Sequence, residues 1–308
     1  MTNQRTVLEA DLAPVAGRRF QPTGFPDLGA AEFDSADGGK SLLVESPQSM
    51  ANRLEATTWD ESRADQVEEL AMLPYVRIVS ADDHAFLSSS RLEAHRLASA
   101  YIMEGKIAAA DGEPWMEQQL GLAAGRPLDH RAVARSCFRL DPVSLVHGVF
   151  FARKKWPWQP RIARAVTSFV EAYHVVPAIS GGVKRDVVIN EAKDGLTARG
   201  YGTVPHHRIE YTAGTITAYF TIDHAQFRSY GLSDSATALL EALADFEIGT
   251  LLDSGLRLRT ACDLSVVTLR GRRPDAQEAA RQLAKLAAEC AGELGPVTEV
   301  AWKRKRAD

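Results

Sequence analysis

Cysteine is scarce in this sequence: Cys137, Cys262 and Cys290 are the only three in 308 residues, odd in number and far apart. That pattern excludes a disulfide framework and a zinc ribbon, and a reducing cytoplasm is the expected compartment. Long apolar runs are missing too. The longest, such as Val143 to Ala152, fall short of a membrane span and are interrupted by Ser144 and His147, and Glu9 and Asp11 stand early in the chain, so neither a membrane segment nor a secretory leader is expected. A global excess of positive charge is also absent. With 36 Lys and Arg against 40 Asp and Glu the net charge is −4, which argues against a protein that simply coats itself with nucleic acid. There is no internal repeat and no low-complexity segment.

The composition that is present, 45% hydrophobic and 25% charged, belongs to a globular protein able to bury a proper core, and 308 residues suit one large core with insertions or two smaller domains. Charge is unevenly distributed. Between Arg126 and Arg164 stand nine basic residues, Arg126, Arg131, Arg135, Arg139, Arg153, Lys154, Lys155, Arg161 and Arg164, against Asp129 and Asp141. A local tract of that sign can meet an anionic partner even when the whole chain is negative.

Pattern reading places a strand at Val7 to Val15, a Gly/Pro-rich loop at Gly17 to Gly39 and a short apolar run at Leu42-Leu43-Val44. Ser46 followed by Pro47 opens a helix running to about Trp59, because Ser caps free amides and Pro at the first helical position loses no hydrogen bond. Val76 to Val79 reads as a strand, Leu87 to Met103 as a helix, Val143 to Ala152 as a strand rich in β-branched and aromatic residues, and Ile162 to Tyr173 as a helix with Ile162, Val166, Phe169 and Val170 aligned. Gly181-Gly182 marks a turn, and Val183 to Tyr211, with Asp194-Gly195, Gly200 and Gly202, reads as a protruding hairpin or insertion. Thr215 to Ile222 alternates as a strand. A helix from about Ser235, a strand at Leu264 to Leu269, a helix at Ala276 to Leu294 capped by Asp275 and Glu278, and a strand at Val297 to Trp302 complete the chain, with Cys290 on the core face of the last helix. The interleaved order predicts an α+β fold, a ferredoxin-like split βαβ sheet with extra helices.

Motifs for catalysis and cofactors fail on spacing. Gly38-Gly39-Lys40-Ser41 imitates the end of a P-loop, but Asp34 stands where the first Gly is required and a strand-like run follows in place of a helix. His206-His207 has no ligand spacing, and adjacent side chains of an extended segment point to opposite faces. The chain has no Gly-x-Ser-x-Gly elbow and no His-Glu-x-x-His. No metal, cofactor or catalytic residue is therefore expected. The alternative is a metal-independent endoribonuclease with His84, His95 or His206 as general base.

Two constellations point to an anionic polymer. The helix opened by Ser46 carries Gln48, Asn52 and Glu55 on one stripe, with Ser49 and Arg53 adjoining, and its N-terminus presents free amides suited to a phosphate. Arg153-Lys154-Lys155-Trp156-Pro157-Trp158 mixes cations with aromatics, an arrangement that tracks a backbone and stacks bases.

Arg19-Phe20-Gln21-Pro22-Thr23-Gly24-Phe25-Pro26-Asp27-Leu28-Gly29-Ala30-Ala31 and Leu42-Leu43-Val44-Glu45-Ser46-Pro47-Gln48-Ser49-Met50-Ala51-Asn52-Arg53-Leu54-Glu55 resemble the signature of the backbone subunit of type I-G (formerly I-U) CRISPR surveillance complexes, a Cas-seven-type member of the RAMP superfamily. Leu87-Ser88-Ser89-Ser90 and Leu92-Glu93-Ala94-His95-Arg96-Leu97 extend the resemblance across about the first 100 residues, with Pro47 where Ala is commoner. The resemblance implies an RRM-like core spanning residues 1–308 with a thumb-like hairpin inserted at about 183–211. It also implies several copies stacked helically along a CRISPR RNA, with target DNA paired beside the guide. The other implied partners are the remaining Cascade subunits, namely the fused guide-processing and end-capping subunit and the large subunit, and a recruited nuclease-helicase that does the cutting. Target choice would rest on base pairing, the protein holding backbone alone. The pattern match puts Arg18, Arg19, Gln48, Ser49, Asn52 and Arg53 at the guide phosphates, in a groove where the Ser46 helix meets the Arg19 loop, with Arg91, His95 and Arg96 nearby; Arg153, Lys154, Lys155, Lys184 and Arg185 join them on charge and position.

Overall fold

Alternation of apolar and polar residues builds the largest layer of the computed structural model, which describes residues 4–25, 29–184 and 204–303. Along the chain, the elements that frame the site are β1 (Arg5–Pro14), β2 (Glu32–Asp34), β3 (Lys40–Glu45), α1 (Pro47–Ala56), β4 (Val76–Ser80), β5 (Phe86–Ser89), α2 (His130–Leu140), α3 (Val143–His147), β6 (Val149–Phe150) and β7 (Arg161–Ile162). There follow β8 (Val166–Tyr173), β9 (Val176–Lys184), β10 (Val204–Thr212), β11 (Thr215–Asp223), α4 (Asp234–Ser254), β12 (Leu256–Arg259), β13 (Cys262–Arg270), α5 (Ala276–Glu289) and β14 (Thr298–Trp302).

Seven strands form an antiparallel sheet in the order β12-β13-β1-β11-β8-β3-β2. Leu8, Ala10 and Leu12 of β1 lie opposite Phe220, Ala218 and Ile216 of β11, and all six are buried, so one face of the sheet is core. A second sheet of five strands holds β14 parallel to β4, with Thr298 opposite Val76, and β5 antiparallel to β4. The expected C-terminal strand therefore forms, but in the second sheet and not beside β13. Both sheets and the helices share one contiguous buried cluster, which includes Cys137, Cys262 and Cys290. The fold is α+β, as the element order predicts.

Three expected helices and strands are corrected. Ile162 to Tyr173 is not a helix: β8 buries Val166, Ser168, Val170 and Ala172 and turns Thr167, Phe169, Glu171 and Tyr173 outward. A spacing of four residues is common to both periods, so Ile162, Val166 and Val170 could not distinguish helix from strand. Val143 to Ala152 is not one strand. Asp141 accepts a hydrogen bond from the Val143 amide at 3.1 Å and starts the one-turn α3, and Gly148, at φ +80°, breaks it into β6. Leu87 to Met103 is not a continuous helix either. Ser90 donates to Asp141 at 2.5 Å and accepts from the Val76 amide at 3.1 Å, while Glu93 takes hydrogen bonds from Ser88 at 2.6 Å and Ser99 at 2.9 Å. Side chains that compete for backbone and carboxylate partners break the segment into β5, a 3₁₀ turn at Arg96–Ala98 and a short helix, Ala100–Glu104.

Gly181 and Gly182 are not a turn but lie within β9, opposite His207 and His206 of β10. The β9–β10 ribbon stands apart from both sheets and begins at Val176, earlier than the expected insertion. Arg185, Asp194-Gly195, Gly200 and Gly202, like Pro26-Asp27-Leu28, lie outside the described residues, as do the side chains of Lys184, His206 and His207.

Candidate nucleic-acid interface

Helix α1 starts where its sequence says it must. Ser46 is extended at φ −79° and accepts from the Ser49 amide at 3.3 Å, and Pro47 occupies the first turn. Met50, Ala51 and Leu54 bury one face; Gln48 and Asn52 stay exposed. The helix stops at Ala56 because the Thr57 and Thr58 hydroxyls donate to the carbonyls of Leu54 and Glu55, at 2.6 and 2.7 Å.

The first turn of α1 forms one wall of a cleft of about 550 Å³. Gln48 comes from the helix, His95 and Arg96 from the 3₁₀ turn and the residue before it, and Phe150, Arg161 and Arg164 from β6, β7 and the residues beyond. Two of these cations form no ion pair. Among the described residues no carboxylate lies within ion-pair distance of Arg161 or Arg164; Arg161 sits instead over the Phe150 ring, 6.0 Å from its centroid. Partial burial, then repulsion from Arg96, pulls the Arg164 guanidinium below the ordinary arginine range, with Glu55 opposing. An anion in the cleft would relieve that repulsion.

Beneath the cleft lies a buried ionic layer. Arg96 forks onto Glu55, Nε to Oε1 at 2.5 Å and Nη2 to Oε2 at 2.7 Å, and its Nη1 donates to the Gly148 carbonyl at 3.1 Å. His147 meets Glu247 at 2.7 Å with both side chains fully buried. Burial raises the Glu55 carboxyl above its usual range, opposed by the charges of His147 and Arg96. Arg96 takes the left-handed backbone, φ +50°, and this fork holds it there. It is thus a structural cation that lines the cleft from behind.

The remaining predicted donors are scattered. Arg91 is fully buried, 3.5 Å from Asp141 and 5.7 Å from the Tyr75 ring centroid; its expected place at a phosphate is corrected to an internal ion pair, with no surface from which to reach a ligand. Arg53 turns away from Gln48: it donates to Glu45 at 3.3 Å and to the carbonyls of Leu258 and Arg257 in β12, closing α1 onto that strand. Ser49 lends its amide to the cap, and Asn52 is exposed one turn beyond Gln48. Arg18 and Arg19 line a different cleft, with Pro14, Thr260 and Asp263, where Arg19 pairs with Glu210 at 3.1 Å while 57% exposed. The expected single groove between helix and loop is corrected to two clefts. Arg259 donates to the Gln21 carbonyl at 2.8 Å and to the buried Glu45 that Arg53 also contacts, tying the loop after Arg19 to the residues around α1.

Arg153, Lys154 and Lys155 lie between β6 and β7, on the loop whose Ala152 lines the cleft; both lysines are exposed. Of the expected aromatic partners, Trp156 is buried and Trp158 is 40% exposed but does not line the cleft. Trp156 is buried against Phe151, with centroids 6.0 Å apart, and the Trp158 indole donates to the Arg126 carbonyl at 2.9 Å. His95 is exposed on the cleft; His84, in the turn between β4 and β5, lies 3.6 Å from Glu299. No group of three or more metal-ligating side chains occurs among the described residues.

Sequence reading missed Phe150, Arg161 and Arg164 as a unit. The charge count over 126–164 included both arginines, but a helix drawn through Ile162 and a strand drawn through Phe150 separated what the β6–β7 pairing brings together.

Residues 6–177 match the family model described as CRISPR-associated protein GSU0053. No curated protein matches. Among solved structures, a chain of "CRISPR RNA-guided surveillance complex, pre-nicking" is similar at 12% identity and TM-score 0.44, over 94% of this chain and 87% of that one. A chain of "CRISPR RNA-guided surveillance complex" is similar at 12% identity and TM-score 0.36, over 99% and 91%. Csc2 of Thermofilum pendens is similar at 7% identity and TM-score 0.31, over 94% and 76%.

Proposed function

The chain belongs to the family of CRISPR-associated protein GSU0053, and from that membership we propose that it is the guide-holding backbone subunit of a type I-G Cascade. It grips single-stranded RNA by its phosphates and performs no bond-breaking chemistry. The observation that carries this reading is the pair of guanidiniums, Arg161 and Arg164, that form no ion pair among the described residues and lie beside the exposed Gln48 in the first turn of α1. Free cations next to a helix N-terminus favour an anion of repeating charge, and nothing in that chemistry reads bases.

The RRM-like core belongs to the same proposal. Its support is the sheet order β13-β1-β11-β8, all neighbours antiparallel, which is the order of a split βαβ unit. The β9–β10 ribbon, inserted between β8 and β11, is the proposed thumb. Copies stack head to tail along the guide, an interface that need not close, with the guide-processing subunit and the large subunit as neighbours, target DNA paired to the guide, and cutting left to a recruited nuclease-helicase. The contacts we assign to phosphate are Gln48, Asn52, His95, Arg161 and Arg164, with Lys154 and Lys155 at the rim and Arg18 and Arg19 in the second cleft.

Co-expression with a CRISPR array followed by the 260/280 nm absorbance ratio of the purified particle tests the reading. A ratio dominated by nucleic acid is expected, and a particle with the ratio of bare protein would overturn it. The endoribonuclease alternative rests on His95 facing the same cleft. Discrete cleavage of precursor RNA in EDTA that disappears in His95→Ala would favour it; unchanged precursor favours the backbone role.

A further inference from the structure

Phe150 is 48% exposed on a strand of two residues, with Val149 before it buried and Phe151 after it buried. Single exposed apolar side chains are ordinary; this one has a definite setting. The β6–β7 ladder pairs Phe150 directly with Arg161, and the guanidinium lies over the ring at 6.0 Å. Among the described residues no carboxylate holds Arg161, so its planar group is free to face a ligand. Ring and guanidinium line the cleft that Gln48, His95 and Arg164 also line, and about 550 Å³ is within the range of clefts that seat small molecules, roughly 300–1,000 Å³. The platform is braced from below. The Gly148 carbonyl accepts from Arg96, and a side chain at Gly148 would meet the Ile162 carbonyl at 2.8 Å, so backbone and buried arginine set the angle of the ribbon.

We propose that this cleft takes one unstacked nucleobase of the bound strand, laid against the Phe150 ring, while the adjoining phosphates rest on Arg161 and Arg164. Stacking engages a π-face that every base has, so the site adds affinity without adding sequence preference. Phe150 is the stacking ring, because Trp156 is buried and Trp158, though exposed, does not line the cleft. This inference rests on the proposed RNA-binding function and names the base-holding part of the same site.

The probe is a short single-stranded RNA carrying 2-aminopurine at a central position, titrated with the full-length protein at low salt. Taking the probe base out of the strand's own stack is expected to raise its fluorescence when wild-type protein binds. Phe150→Ala is expected to lose most of that rise and to bind about 5- to 150-fold more weakly, with the same dependence on salt, because no phosphate contact is removed. Phe150→Trp restores the affinity. If Phe150→Ala binds and raises the fluorescence like wild type, the base platform is wrong while RNA binding stands. A Phe150→Ala protein that keeps the rise but changes in assembled size would likewise overturn the platform, since the ring would then meet protein. If wild type binds none of these RNAs, the underlying function falls with it.

Discussion

Glu55 and Arg96 stand 41 positions apart and meet as a buried fork, its two bonds 2.5 and 2.7 Å long, beneath a surface cleft. Two charges removed from water hold together only because each satisfies the other, and removing one leaves its partner unpaired in a low-dielectric interior. Glu55→Gln is therefore expected to destabilise the fold by about 3–5 kcal/mol, read from urea unfolding. The loss should be far smaller in a Glu55→Leu, Arg96→Met double variant, where no uncompensated charge is left. A single variant as stable as wild type would show that the pair is not buried as described. The sequence resemblance put Arg91 and Arg96 near a phosphate and counted Arg161 only as part of a basic tract, since a guanidinium beside an apolar run reads the same whether it faces out or in. Arg91 and Arg96 are claimed by Asp141 and Glu55, whereas Arg161 has no carboxylate partner among the described residues and lies over the Phe150 ring.

At the scale of single elements, the two-residue strands β6 and β7 matter more than their size suggests. They exist because Gly148 takes φ +80°, a conformation that L side chains rarely adopt, immediately after α3. Gly148→Ala would place its Cβ 2.8 Å from the Ile162 carbonyl and 3.0 Å from the Arg164 amide. The expected result is a loss of roughly 1–3 kcal/mol or more in urea unfolding, with guide retention reduced because the ribbon bearing Phe150 and Arg161 must shift. Gly121 is the control: it also has positive φ, +66°, but an added Cβ meets nothing within 4 Å, so Gly121→Ala should cost stability without reducing retention. Equal retention in both variants would detach the ribbon from RNA binding. Helix α1, by contrast, was legible from Ser46-Pro47 alone, because capping and a first-turn proline are local chemistry. The β8 strand was not, because a four-residue apolar spacing suits either period until neighbouring strands choose one.

For the whole molecule, a net charge of −4 coexists with a cationic cleft, so the proposed affinity for RNA would come from a few placed contacts and fall with salt in proportion to their number. Each phosphate contact on a single strand contributes about 0.7 to the slope of log affinity against log salt. The double variant Arg161→Gln, Arg164→Gln is expected to lower that slope by roughly 1.4 and to weaken binding equally for different RNA sequences. Measuring binding of two unrelated single strands across a salt series checks it; an unchanged slope would place the phosphates elsewhere on the surface.

Local features were settled by the residues themselves: the C-terminal helices and strands, the α1 cap, the buried Cys290, the α+β class and the concentration of positive charge between Arg126 and Arg164. Each depends on side chains a few positions apart, where periodicity and capping act. What tertiary structure alone decided was which cations are spent inside and which stay free. It also decided that the Arg19 loop and α1 line separate clefts, and that Phe150 and Arg161 share a strand pair. Those outcomes turn on desolvation and pairing between residues far apart in sequence, and a guanidinium carries no local mark of the carboxylate it will meet.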